Sequence, residues 1–425
     1  MRRPVLVALA LLCAAPVPAA QARARWDTQV LALVPRPGFP ANAYPAPDGR
    51  VYEGTYDNPQ GDAVASRVLE YDPDRGTLLR SWTVTGQDLS GPHGVQVATS
   101  DAAGRLVLLD KSPPRALLLD RATGEQTAYA AFEPGTVPNH AAWGPDGSLY
   151  VTDYEHAVLW RVPPRGGTPQ AWLRDARLDG GSFGTTGIAL AADRRALLVA
   201  QQSQAGGGAG NPATGRLWSI PLGADGRPGA LRQLWESRPV DGPDAFGVAR
   251  SGNVYIALLV ANQIAVIGPD GAERERFPAS PGSGENGSAV PFDNPSSARF
   301  LGTRLMVANQ SFFAADPAHQ AILDVETGER GLPEHIPANA GPPGPPAPPC
   351  TARRVLTVRL PTVRARVRSV RVQVTGRRAR TLRGPRRMIR IDLRGLRAGR
   401  HVVRLTIRYA NGRSLLRGRT VTWCG

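Results

Sequence analysis

Asn139, Thr186, Asp244 and Ser296 are the side chains of this 425-residue sequence best suited to hold a ligand through oxygen. Each opens an apolar run, and the same opening recurs as Pro40-Ala41, Pro92-His93, Pro138-Asn139, Thr185-Thr186, Pro243-Asp244 and Pro295-Ser296. An amide, a carboxylate and two hydroxyls brought to one point are hard donors for a cation such as Ca²⁺, which takes about six to eight oxygens, water included. Water polarised by such an ion can give up a proton to an imidazole, and His93 and His140 stand at or beside two of the openings. Asn42, one residue beyond Ala41, offers a further amide.

These positions converge only if the elements carrying them are repeats around an axis. Each opening precedes an apolar stretch, a turn and a second apolar stretch: "PANAYPAPDGRVYEGTY" from Pro40, "PHGVQVATSDAAGRLVLLD" from Pro92, "PNHAAWGPDGSLYVTD" from Pro138, "TTGIALAADRRALLVA" from Thr185, "PDAFGVARSGNVYIA" from Pro243 and "PSSARFLGTRLMVA" from Pro295. Equivalent residues Tyr52, Val107, Tyr150, Leu198, Tyr255 and Met306 lie 43 to 57 residues apart, the period of a propeller blade. A third strand-like run follows each copy and a weaker fourth follows most, giving four strands in each of six blades. After Val325 the chain is too polar for a last strand, whereas Thr28–Val34 has no partner of its own. The expected closure lends that N-terminal strand to the sixth blade and removes the open sheet edge. In such a ring the innermost strands open at one mouth of the central channel, so the six opening residues line it.

At this point the units "PN…PDG…LYV" and "PD…GNVYIA" resemble those of the regucalcin and gluconolactonase propellers and of the related diisopropylfluorophosphatase and strictosidine synthase propellers, over residues 27 to 330. The resemblance implies a divalent metal in the channel, with Asn139 at the third-blade Asn position and Asp244 at the fifth-blade Asp position. The first-blade Glu position holds Ala41, or Asn42 with a shift of one, and the fourth-blade Asn position holds Thr186. One carboxylate in place of two weakens divalent binding, because the second charge offsets much of the dehydration of the ion. Glu53 lies on the second strand of the first blade and is expected to point elsewhere.

Composition sets the remaining bounds. Residues 1 to 22 have a basic start, an apolar run and small residues near Ala20 and Ala22, as in a secretion signal, with a lipid anchor on Cys13 as the alternative. No later apolar run spans a bilayer. The predicted domains are the propeller at 27 to 331, a solvated Pro-rich linker at 332 to 349, and a basic domain at 350 to 425. In the last, Val370, Val372 and Val374 alternate with Arg371 and Gln373, and Asn411-Gly412 makes a hairpin turn, as in a small Ig-like β-sandwich. Cys350 and Cys424 bracket it, either as a disulfide or as two buried thiols. This domain holds 22 Arg and one acid, Asp392; without it and the two signal arginines the body has 27 basic against 34 acidic residues. The two parts therefore face different partners.

There is no H-E-x-x-H, C-x-x-C or P-loop motif. Few aromatics stand in the basic domain (Tyr409 and Trp423), and export removes it from nucleic acid, so its expected partner is an anionic envelope polymer. Two long loops, Ser203 to Gly215 and Phe277 to Asn294, are candidates to cover the channel mouth. Two functions fit: a metal-assisted hydrolase of a lactone or related ester, with Asn139 and Asp244 on the metal, Ala41, Asn42, Thr186 and Ser296 in the pocket and His93 or His140 near the water; or a non-catalytic propeller that binds a small molecule or glycan at the same mouth.

Overall fold

The computed structural model describes residues 23–57, 63–181, 183–203, 214–343, 355–360, 366–375, 377–394, 396 and 399–423. The signal segment, Cys350 and Cys424 lie outside the described residues. Two compact units divide the chain, Met1–Pro342 and Pro343–Gly425.

The first unit is a ring of six four-stranded antiparallel sheets. Blade 1 holds Tyr44–Pro45, Val51–Gly54, Arg67–Tyr71 and Leu78–Thr83; blade 2 begins at Val95–Ser100, blade 3 at Pro138–Trp143, blade 4 at Thr185–Leu190, blade 5 at Pro243–Val248 and blade 6 at Pro295–Leu301. As expected, Thr28–Leu33 is the outermost strand of blade 6, paired antiparallel to Ala321–Glu326 with Thr28 opposite Val325. Trp26, just before it, stacks on Phe277 of blade 5 at 4.8 Å between ring centroids.

Burial explains why the inner strands read as continuous apolar runs and the outer ones do not. Val95–Ser100 is buried at every residue, because a neighbouring blade covers each face, whereas Leu78–Thr83 at the rim is almost wholly exposed. Each pair of adjacent blades shares one apolar cluster. Trp143 and Tyr129 pack between blades 3 and 2, Tyr255 and Leu323 between blades 5 and 6, and Tyr71 and Met306 between blades 1 and 6. The last of these closes the ring.

Turns between neighbouring strands of a blade reuse one device. Asp48, Asp146 and Asp270 each accept the backbone N–H two residues on, from Arg50, Ser148 and Ala272, and the glycine that follows each has φ between +81° and +85°. The Asp-Gly pair thus fixes turn and register together. At the opposite ends of the first strands the ladder is irregular: register shifts fall between Pro138 and Ala141, Thr185 and Ile188, Pro243 and Phe246, and Pro295 and Ser297. Such a bulge turns the extra residue away from the regular alternation, and here it frees Asn139, Thr186, Asp244 and Ser296 to face the axis.

Two expectations change. The linker does not begin at Leu332: Leu332 N–H donates to Val248 O at 2.8 Å, Tyr44 O–H donates to Glu334 at 2.7 Å, and Ala340 is buried in the cluster between blades 2 and 3. Residues 332 to 342 form a strap on the propeller, and proline, lacking an N–H, lets it lie there with few donors to satisfy. Phe277–Asn294 is not a lid either, because Val290 and Phe292 are buried between blades 5 and 6.

In the second unit, Arg380–Arg383, Val367–Val374, Gly399–Tyr409 and Ser414–Trp423 form a four-stranded sheet, and Val355–Arg359 pairs with Met388–Asp392. Val370, Val372 and Val374 are buried with Ile389, Ile391 and Val403, while Arg371 and Gln373 are exposed, as the alternation predicts.

Candidate functional site

The bulged openings meet at one end of the channel, around a cavity of about 180 Å³. Ala41, Asn139, His140, Thr186, Asp244 and Ser296 all line it. So does a second ring that the opening residues alone did not reveal. Each second strand runs antiparallel to the first and leaves at the same mouth, which delivers Tyr56, Lys111, Tyr154, Gln202, Leu259 and Gln310 to the wall. The signal was present in the repeat, at the end of each second strand or within two positions past it. Phe312 and Phe313 follow Gln310, and Phe313 is 60% exposed at the rim.

Asp244 is the chemical centre. Its Oδ2 accepts from Gln202 Nε2 at 2.9 Å, and the Thr186 hydroxyl and Ala245 N–H also donate to the carboxyl. Burial outweighs these bonds and pushes the carboxyl up to about 8. Burial first raises the phenols of Tyr56 and Tyr154 well above their usual value; the charge of Asp57 and then that of Asp244 add to it at Tyr56, and that of Asp244 at Tyr154. The Tyr56 hydroxyl also reaches Gln96 and Asn139. Lys111 Nζ donates to Asp57 at 2.7 Å, which sets a paired cation in the wall.

His140 has a different part from the one its type suggests. Its Nδ1 lies 2.6 Å from Asn139 Oδ1, an acceptor, so Nδ1 carries the proton and the ring is neutral. Burial, helped by Arg299, lowers the imidazole to about 3. It orients Asn139 and is too weak a base to take a proton from water near neutrality. His93 does not line the cavity: its two ring nitrogens lie 3.0 Å from the carbonyl oxygens of Gly91 and Val64. Blade 2 begins its first strand at Val95 and bulges only between Val97 and Thr99, so His93 stays in the entry loop. Asn42 is likewise turned away, with Nδ2 donating to Val97 O at 2.8 Å.

Glu53 reaches back from the second strand to the opening of the first. Its Oε1 accepts from the backbone N–H of Ala41 (3.0 Å), Asn42 (3.1 Å) and Gly54 (3.1 Å), while Oε2 has no partner. Burial pushes this carboxyl up to about 8 against those three bonds. It holds the Ala41 opening in place from behind.

The donor set does not fit a calcium ion. Asp244 is the one carboxylate among the inward-facing openings, Asn139 Oδ1 is engaged by His140, and Ser296 Oγ donates to Ala41 O at 3.0 Å. Among the described residues, no group of three or more His, Cys, Asp or Glu is placed to hold a metal. What remains is a wall of amides, hydroxyls and aromatic rings with one buried acid.

A closed six-bladed propeller with a ligand-sized cavity at one channel mouth is the class that fold and site define. Its structural neighbours include a calcium-binding regucalcin from Agrobacterium tumefaciens, at 17% identity and TM-score 0.54, covering 72% of this chain and 96% of that one. A gluconolactonase from Xanthomonas campestris matches at 18% identity and TM-score 0.49 over 70% of this chain and 88% of that one. Virginiamycin B lyase from Staphylococcus aureus matches at 15% and 0.46, over 71% and 99%. No protein-family model and no curated protein matches the sequence. The chain thus shares the β-propeller fold of the regucalcin, as the resemblance of its repeats implied; at such identities the likeness establishes fold alone, and chemistry has to come from the site.

Proposed function

We propose that the propeller binds a small, uncharged, polyhydroxylated molecule, a sugar or sugar lactone, in the cavity around Asp244. The observation that carries this reading is the wall itself: the amides of Asn139, Gln96, Gln202 and Gln310 stand beside the rings of Tyr56, Tyr154 and Phe312. Amides offer both donor and acceptor to a hydroxyl, aromatic faces cover the apolar face of a sugar ring, and few precisely placed polar groups in an apolar cleft are the usual way to orient a small ligand. Charge supports an uncharged ligand, since Lys111 is already paired with Asp57. Titration calorimetry of the full chain with a panel of hexoses, polyols and their lactones tests it. Saturable binding that a Gln202→Ala/Gln310→Ala double variant weakens supports the reading; heat indistinguishable from dilution for the whole panel refutes it.

A second reading, opening of a lactone ring, draws on the placement of Asp244 as the one buried acid of the cavity, beside neutral donors. In its ionised form, which gains population as pH rises towards and above about 8, Asp244 takes a proton from water as the water oxygen bonds to the lactone carbonyl carbon; the ring C–O bond then breaks, and the leaving alkoxide takes that proton back from Asp244. Turnover of lactone in the same experiment, lost in Asp244→Asn, separates this reading from binding alone. We also propose that the chain acts outside the cytoplasm, with its basic domain against an anionic envelope polymer. The 22 Arg against one acid support this, as do Arg371, Arg404 and Arg408 exposed on one sheet. Retention on cells that does not fall with rising salt would remove it.

A further inference from the structure

The other end of the channel has its own cavity, larger than the first at about 390 Å³. It lies where the first strands end, so Ala142, Ile188, Phe246 and Leu301 supply its wall, and residues 330 to 335 pass along its side. The charge around the apolar wall is mostly positive. Arg194 stands in the blade 4 turn, Arg250 in the blade 5 turn, Arg330 at the start of the strap and Arg299 on the first strand of blade 6. Arg250 N–H donates to Arg330 O at 2.9 Å, which fixes those two backbones side by side.

The only acid in this lining is Glu334, and it is already committed. It accepts from the Tyr44 hydroxyl at 2.7 Å and lies 3.4 Å from Arg299. Of the neighbouring acids outside the lining, Glu329 accepts from Ser251 and Asn253, and Asp193 caps its own turn through Arg195 N–H. Arg194, Arg250 and Arg330 are exposed and form no ion pair with any described residue. Elsewhere on this unit arginines are routinely paired: Arg276 with Asp241, Arg304 with Asp324, Arg115 with Asp110. The body carries more acid than base, so three unpaired arginines around one apolar basin are not a consequence of composition.

We propose that this second mouth binds a small amphipathic carboxylate, its chain or ring in the apolar basin and its oxyanion among Arg194, Arg250 and Arg330. A guanidinium presents paired N–H donors matched to a carboxylate, and low-dielectric walls focus the field of several such groups on the basin. A cavity of this volume suits a small ligand, not a polymer. The proposal is independent of the Asp244 cavity, which opens at the other end of the channel.

The test is calorimetric titration of the full-length protein with decanoate at low ionic strength, alongside decanol, inorganic phosphate and an Arg250→Glu/Arg330→Glu variant. Both arginines are exposed, and circular dichroism with thermal melting confirms that the variant keeps its fold. Decanoate is expected to bind saturably, decanol and phosphate at least tenfold more weakly, and the double variant to lose at least tenfold in decanoate affinity while Asp244→Ala loses none. Decanol binding as tightly as decanoate, phosphate competing as well as decanoate, or an unchanged affinity in the folded double variant would each overturn the proposal. Should the double variant fail to fold, Arg250→Gln alone is read in its place, with a loss of at least threefold expected and no loss again overturning it.

Discussion

Replacing Glu53 by Gln should stabilise the propeller, and should do so only at higher pH. Glu53 is fully buried with no cation beside it, and its carboxyl is pushed from an ordinary 4.5 up to about 8. The folded state therefore keeps a proton that the unfolded chain releases. The sign follows from that difference. Below the unfolded value both states are protonated and the full stability is present; as pH rises through 4.5 and on towards 8, the unfolded chain alone ionises and stability falls. At about 1.4 kcal/mol per pH unit, a rise from pH 5 to pH 8 removes roughly 4 kcal/mol through this one group. Gln does not titrate, and its amide oxygen can keep all three N–H donors of Ala41, Asn42 and Gly54, since only Oε1 is used now. Asp244 contributes a slope of the same sign, so the comparison must be between wild type and variant at each pH. Guanidinium unfolding followed by tryptophan fluorescence measures it: the gap between E53Q and wild type should be small at pH 5 and open to several kcal/mol at pH 8. A gap that is the same at both pH values would show that Glu53 is ionised in the fold and that the burial argument is wrong.

Three further outcomes follow from the same geometry. Phe313→Ala, at a side chain 60% exposed on the rim, should leave the melting temperature within about a degree and weaken sugar binding several-fold by calorimetry. Removing residues 23–33 takes the outer strand from blade 6 and exposes the edge of Ala321–Glu326, so the truncated chain should lose cooperative unfolding by circular dichroism and aggregate on purification. Adding millimolar calcium or a chelator should shift the melting temperature by less than about a degree, because an ion bound to the native state alone would stabilise it by mass action.

The fold was legible because each blade repeats the same physical instructions. The polar turns after the first strands, Asp-Gly in blades 1 and 3, the buried runs of the inner strands and the unpartnered Thr28–Val34 run all have local causes that a sequence carries. The openings at Asn139, Thr186, Asp244 and Ser296 were legible for the same reason. His93 was not, since a bulge placed later in the strand, between Val97 and Thr99, is a feature of pairing and not of composition. Glu53 stays out of the cavity as expected, but its hold on the Ala41 backbone was not legible, because alternation along a strand says which face a side chain leaves from, not how far a long one reaches back. The strap was hidden by its prolines, which resemble a solvated linker until Ala340 and Glu334 are seen to be anchored. Gln202 and Gln310 were readable in principle, but only by following the second strand of each repeat out to the same mouth.

The central claim is that the mouth around Asp244 holds a neutral sugar-like ligand through protein groups alone. Titration of the protein with the best ligand of the hexose and lactone panel, for wild type and Asp244→Ala, each with and without chelator, tests it most directly. The expected result is a loss of at least tenfold in affinity for Asp244→Ala, about 1.4 kcal/mol or more, with the chelator changing neither value. Binding that survives Asp244→Ala unaltered, or that the chelator abolishes in wild type, would contradict it.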